Sequence, residues 1–281
     1  MLAAALLLGC AASPSPDPPP AANAARAVTT AVATAAPAAS ETASLDSPAP
    51  TASAAAAPAA PAERFDPTLP TEVPVAGDLV AHVAHGAIGN RRAIVYLHGH
   101  CGNVNKFRDW QDAGVHFGTV VALFGDDKCK EPGRFKWGSD AAHTDKRIVA
   151  ALKAVSAVRD APLDLGAITL VGYSQGSARA EALVRAYPAR YSRAVLVAGP
   201  KEHAARSFRE ALGIAVVGGQ RDLTAHLKDA ADKAAKAGVH ARYFELPGAR
   251  HGEYGPDAVK VMGEALSWVL GPSEPPRATA R

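Results

Sequence analysis

Gly172-Tyr173-Ser174-Gln175-Gly176 follows an apolar run at 167–171 and precedes a helix-like stretch at 177–186. That is the pattern of a strand, a forced turn and a helix, with one serine at the turn. A turn so sharp holds its central residue in a crowded backbone conformation, so glycine is wanted two positions before and two after, where the chain approaches itself. Gly172 and Gly176 occupy those places. With 24 glycines in the chain, a Gly-x-Ser-x-Gly string can arise by chance. The flanking strand and helix signals are what make Ser174 a candidate nucleophile.

Outward from this turn, from Glu63 onward, short β-rich runs alternate with longer helical patterns, which predicts an α/β sheet with crossover helices. Strands are expected at 79–84, 93–98, 119–124, 167–172, 193–198, 214–218 and 241–246. Those starting at Ala93, Thr119, Ala167 and Arg193 are nearly unbroken apolar runs, as central strands covered on both faces should be. Helical spacing appears at 140–158 (Ile148, Leu152, Val155, Val158), 177–187, 223–237 and 257–270 (Val259, Met262, Leu266, Val269). Pro256 stands at the entry of the last, where its missing N–H is harmless.

A nucleophilic serine needs a base, and the base needs an orienting acid. Of ten histidines, His251 stands out. It follows the last expected strand through Pro247-Gly248-Ala249-Arg250 and precedes Gly252, so a glycine-flanked loop can bring its imidazole over the turn. For the acid, Asp222 closes the run Val216-Val217-Gly218-Gly219-Gln220-Arg221, just past the strand at 214–218. The chain order is then Ser174, Asp222, His251.

In that order and context, the region 75–270 resembles an α/β-hydrolase fold, with a mostly parallel central sheet flanked by helices. It is similar to the compact carboxylesterase, dienelactone hydrolase and polyhydroxybutyrate-depolymerase-like branches. Their serine follows the fifth strand of the sheet, their acid the seventh and their histidine the eighth, which correspond here to Ser174, Asp222 and His251. The resemblance implies a serine hydrolase acting on carboxylic esters through an acyl-enzyme, with no cofactor and no metal. It also implies an oxyanion hole from two backbone N–H groups, those of Gln175 and His100, the latter in the loop Leu97-His98-Gly99-His100-Cys101-Gly102-Asn103. A peptidase of the same fold and a non-catalytic binding module are the alternatives. Only 199–213 separates the expected strands at 193–198 and 214–218, so no sizeable cap domain is expected and the partner is a small or protruding ester.

Other polar residues are assigned bland roles. Asp164 and Asp257 read as a turn residue and a helix N-terminal charge, and Asp126, Asp127 and His143 lack the spacing of a metal site. His98 reads as a structural residue of its loop, and His82, His85, His116, His203, His226 and His240 as surface or packing residues. Trp137 either lines the pocket or covers the core edge; Tyr173 either lines the pocket or packs beneath the turn. Arg134 and Lys136 could meet an acidic substrate, but isolated loop cations are usually just solvated, and that is the reading given to them.

The first quarter of the chain has a different composition. Residues 11–62 are nearly all Ala, Pro, Ser and Thr, with too few large apolar side chains to offset the entropy of ordering a backbone. A disordered tether is expected at 10–62, ahead of a catalytic domain at 63–271 and a flexible tail at 272–281. Ahead of the tether, Leu7-Leu8-Gly9-Cys10 resembles a lipoprotein lipobox, which implies a signal peptide at 1–9 and lipid on Cys10, although no Lys or Arg precedes that cysteine. The expected location is then the cell envelope, with membrane contact only through that lipid; without a signal, the location would be cytoplasmic. In an exported protein Cys101 and Cys129, each following a strand, could form a disulfide. A net charge of +3 with no basic stripe makes nucleic acid a poor partner.

Overall fold

The computed structural model describes residues 66, 68–69 and 71–271. The expected signal peptide, the lipid site at Cys10, the tether and the tail lie outside these residues.

The strands are β1 Glu72–Val73, β2 Ala81–Ala84, β3 Ala93–Leu97, β4 Thr119–Leu123, β5 Asp127–Lys128, β6 Phe135–Lys136, β7 Thr169–Tyr173, β8 Arg193–Val197, β9 Gly213–Gly219 and β10 Ala241–Leu246. The helices are α1 Gln111–Phe117, α2 Ala141–Arg159, α3 Gln175–Ala186, α4 Ala225–Lys236 and α5 Ala258–Leu270. Eight strands form one sheet in the order β1-β2-β4-β3-β7-β8-β9-β10, and β5 with β6 makes a small separate hairpin. β1 and β2 pair antiparallel, as do β2 and β4, and every other pairing in the large sheet is parallel.

Alternate residues of each central strand enter two apolar layers. In β3, Val95 and Leu97 face the layer that includes Ile148, Leu152 and Val155 of α2, Leu183 of α3 and Leu227 of α4. Ile94 and Tyr96 face the opposite layer, with Met262, Leu266 and Val269 of α5. Burial on both faces is why these strands read as continuous apolar runs rather than as an alternation.

The seven expected strands are all present, some with shifted ends: β2, β3, β4 and β8 are shorter, β7 is shifted to 169–173, β9 is longer at both ends and β10 is as expected. β2 starts at Ala81 rather than Leu79 because Asp78 N–H closes a turn on Val75 O and the Asp78 carboxylate is bound by Arg147 at 2.7 and 2.8 Å. β8 stops at Val197 because Ala198 turns to a φ of 48°. α3 begins at Gln175, two residues earlier than expected, so the serine turn runs directly into the helix. Helix α1 was not foreseen. Its Gly114 lowers helix propensity, yet a Cβ there would stand 2.6 Å from Val120 Cγ2, so close packing on β4 requires the glycine.

Between β8 and β9 the chain makes only a 3-10 turn, Ala205–Phe208, with no room for a cap. Glu181 of α3 anchors this connection. Its carboxylate accepts from Ala204 N–H at 3.1 Å and Ser207 Oγ at 2.9 Å, and lies 2.8 Å from His203 Nδ1. Arg159, at the end of α2 and 3% exposed, donates to the carbonyls of Gly86, Ala87, Ile88 and Asn90 and to Thr119 Oγ1. This binds the 86–90 loop to the start of β4. The sequence did not single out either cluster.

Candidate active site

β7 ends at Tyr173 and α3 starts at Gln175, leaving Ser174 alone between them with φ 49° and ψ −115°. A non-glycine residue is rarely held there, and such strain persists only where the surroundings enforce it. Here Ser174 N–H donates to Val197 O at 2.8 Å, pinning the turn to the neighbouring strand. A Cβ on Gly172 would lie 2.4 Å from Gly176 O, and one on Gly176 would lie 1.9 Å from Leu97 O. One on Gly99 would lie 3.3 Å from Ser174 Cβ. The glycines are needed because the turn is wedged between its own helix and the loop that follows β3.

His251 and Asp222 reach the serine from the ends of β10 and β9. The parallel register sets Gly219 opposite Leu246, so the two following turns emerge side by side. They are then laced together: Gln220 N–H donates to Leu246 O, Gly248 N–H to Gln220 Oε1 and Arg221 N–H to Ala249 O, each at 2.9 Å. The result is a line of three side chains. His251 Nδ1 is 2.8 Å from Asp222 Oδ2, and His251 Nε2 is 3.2 Å from Ser174 Oγ. In a neutral imidazole so placed, Nδ1–H donates to the carboxylate and Nε2 is free to accept the serine proton. The other oxygen of Asp222 accepts from Leu223 N–H at 2.8 Å. The Asp222 side chain is 14% exposed and that of His251 52%, so the acid is sheltered while the base faces solvent.

Tyr173 braces the histidine loop from below. Its hydroxyl accepts from Gly252 N–H at 2.6 Å, and its ring centroid lies 5.8 Å from that of His251. Burial pushes the phenol up to about 12, so it stays protonated. Tyr173 is therefore both buried beneath the turn, at 7% exposure, and part of the cavity wall.

The loop 98–103 closes the site on its other side. His98 Nε2 accepts from Gly125 N–H at 2.8 Å, which places the proton on Nδ1, 2.7 Å from Gly99 O. Burial holds the His98 pKa below its ordinary value and keeps the ring neutral, as this donor–acceptor pair requires. Of the two readings of Trp137, its burial agrees with cover of the core edge, and it is not among the residues lining the cavity. It is 4% exposed, because its indole N–H finds the His98 carbonyl at 2.8 Å and draws the ring under the loop. Gln175 then clamps the Trp137 backbone with both ends of its amide, Oε1 accepting and Nε2 donating at 3.0 Å each. The side-chain role of Gln175 was missed, since nothing local ties positions 137 and 175.

Cys101 and Cys129 form a disulfide, as expected, joining the 98–103 loop to the connection between β5 and β6. The cross-link spans 28 residues, so in the chain-entropy account its removal costs about 3 to 4 kcal/mol. The Cys101→Ser/Cys129→Ser variant should show that loss in urea unfolding, as should the reduced wild type. Equal midpoints in oxidised and reduced protein would mean that the bond constrains nothing.

Ser174, His251 and His100 open into one cavity of about 330 Å³, whose floor includes Tyr96 and Tyr254 and whose rim includes Lys106 and Arg134. Gln175 is the first residue of α3, where helix N–H groups lack intrahelical partners. Among the described residues neither its N–H nor that of His100 donates to a protein acceptor. Both groups flank Ser174 in sequence or in space. The rival acids are engaged elsewhere: Asp126 Oδ1 accepts from Gly138 N–H and Asp164 Oδ1 from Gly166 N–H, both at 2.8 Å. His143 stands 4.0 Å from Asp126, and both line a separate pocket that does not include Ser174.

The strand order and the placing of the three side chains can be compared with known proteins. No protein-family model matches the sequence, and no curated protein matches it. Among solved structures, carboxylesterase from Mesorhizobium loti superposes with a TM-score of 0.53 at 16% identity, over 72% of this chain and all of that one. Esterase PE8 superposes at 0.51 with 19% identity, over 67% of this chain and 97% of the other. This chain has the α/β-hydrolase fold. Within that α/β-hydrolase sheet, and leaving aside the β5–β6 hairpin, Ser174 follows the fifth strand in the chain, Asp222 the seventh and His251 the eighth. Sequence identity this low carries the fold and nothing finer.

Proposed function

We propose that this protein is a serine hydrolase that cleaves carboxylic esters. The observation that carries the reading is the continuous path Ser174 Oγ, His251 Nε2, His251 Nδ1, Asp222 Oδ2 at 3.2 and 2.8 Å, opening into a cavity. In this mechanism His251 Nε2 takes the Ser174 proton as Oγ attacks the ester carbonyl carbon. The oxyanion is met by the N–H groups of Gln175 and His100, and Asp222 stabilises the imidazolium. His251 then gives the proton to the leaving alcohol, and water, activated by the same imidazole, releases the acid from Ser174. The strained serine and the backbone donors are already positioned, so little reorganisation accompanies the attack. No metal or cofactor has a role in these steps. Attachment at the cell envelope through Cys10 is the accompanying proposal on location, supported by the lipobox-like run and the composition of 11–62.

The direct test is covalent. A fluorophosphonate probe should label the folded protein on Ser174, as found by peptide mass mapping, and His251→Ala should abolish the labelling. Folded wild-type protein that stays unlabelled would overturn the reading.

A further inference from the structure

The cavity at Ser174 is lined by cations without a carboxylate. Its lining contains two cations, Lys106 and Arg134, and no Asp or Glu. Each cation has only a weak local partner on the solvent side: Lys106 Nζ lies 3.2 Å from Asp109, and Arg134 Nε lies 3.4 Å from Glu131. Both are exposed i,i+3 pairs, of a kind worth little in water, and neither acid lines the cavity. Asn103 spends its side-chain oxygen on Asn105 N–H at 2.9 Å, leaving its NH2 to donate.

The floor adds a neutral donor. Tyr173 uses its hydroxyl oxygen on Gly252 N–H, so its proton is left to give. Tyr254 lines the cavity and is 2% exposed, and burial raises it well above the ordinary phenol range, so it stays neutral. Its hydroxyl is taken up by Tyr96 and Trp110, which leaves the Tyr173 proton as the one the floor can offer. About 330 Å³ suits a small molecule rather than a long acyl chain.

We propose that this cavity selects small esters that carry a free carboxylate, with Lys106 and Arg134 as the specificity-determining cations and Tyr173 as a neutral donor of the floor. This deepens the ester-hydrolase reading of Ser174 and rests on it. The reaction is unchanged: one ester bond is exchanged for an acyl bond to Ser174 and then hydrolysed, while the second carboxylate is only bound. A neutral ester of equal length lacks the charge that the rim attracts.

The test compares monoethyl glutarate with ethyl valerate, which share acyl length and differ in a terminal carboxylate, by ethanol release. The glutarate should be favoured in kcat/KM by about tenfold or more at low salt, and sodium chloride should erode the preference. The Lys106→Met/Arg134→Met double variant, checked for folding by circular dichroism, should lower the glutarate-to-valerate ratio at least about tenfold, whatever its absolute rates. Fluorophosphonate labelling is run in parallel. If Ser174 labels but wild type prefers valerate, hydrolyses neither ester, or keeps its ratio in the double variant, the carboxylate proposal falls and the hydrolase reading stands. If Ser174 does not label and neither ester is cleaved, the hydrolase reading fails and takes the proposal with it.

Discussion

Ser174→Ala is expected to lower the turnover of a short-chain nitrophenyl ester by about 10⁵- to 10⁶-fold while leaving the fold intact. The size follows from removing the one hydroxyl that stands within hydrogen-bond reach of His251 Nε2 among the described residues. Ser177, the next hydroxyl along α3, is buried and donates to Ser174 O at 2.7 Å, so it cannot substitute. The Ser174 side chain itself makes one contact, to His251 Nε2, and deleting it leaves the turn's backbone bond to Val197 in place. Activity should not fall to zero, because backbone N–H groups at Gln175 and His100 remain to polarise a bound carbonyl, with water as the attacking group. Asp222→Asn should be milder, at about 10⁴-fold, since it leaves the geometry but favours the wrong imidazole tautomer. Combining it with Ser174→Ala should add almost nothing, as expected of groups that act as one unit. Stopped assays over hours would measure these rates. A Ser174→Ala protein within about tenfold of wild type would show that the nucleophile lies elsewhere.

The second large effect is on folding. Gly176→Ala should destabilise the protein by about 3 kcal/mol, or roughly 6 to 12 °C in thermal midpoint for a domain of this size. The added methyl would stand 1.9 Å from Leu97 O, 2.6 Å from Leu97 C and 2.7 Å from His98 O. All three are main-chain atoms. Leu97 is paired to Gly172 across β3 and β7, so its carbonyl cannot retreat without opening the centre of the sheet. Any accommodation would also push the 98–103 loop away from Ser174, so the residual folded protein should be nearly inactive. Gly263→Ala in α5 is the matched control. There the new methyl meets only Ala113 Cβ at 3.5 Å, an ordinary contact, and the change should be neutral or slightly stabilising. Equal midpoints for the two variants would contradict the wedge at the serine turn.

Much of this architecture was readable because its signals are local. The strands that start at Ala93, Thr119 and Arg193 announce themselves by composition, and the helices over 141–159 and 258–270 by their spacing of apolar residues. The serine turn was legible for the same reason, since its requirement for small residues at Gly172 and Gly176 is met within five positions. The order of Ser174, Asp222 and His251 could be read because each follows a recognisable strand. Where the signal was not local, the reading failed or stayed open. Helix α1 was hidden by Gly114, whose reason for existing is Val120 on another element. Trp137 could not be assigned between pocket and core because its deciding partners are the carbonyl of His98 and the amide of Gln175, 39 and 38 residues away.

The sequence by itself therefore determined the alternating α/β layers, the strained serine and the chain order of the three polar groups, since periodicity, turn chemistry and strand succession are properties of short segments. Only the tertiary structure decided that His251 and Asp222 stand at hydrogen-bond distance, that Gln175 clamps Trp137, and that the cavity is lined by two cations and no carboxylate. Those facts depend on the register of Gly219 against Leu246 and on loops meeting from four strand ends. Such contacts are set by how the whole sheet packs, and no stretch of sequence carries them alone.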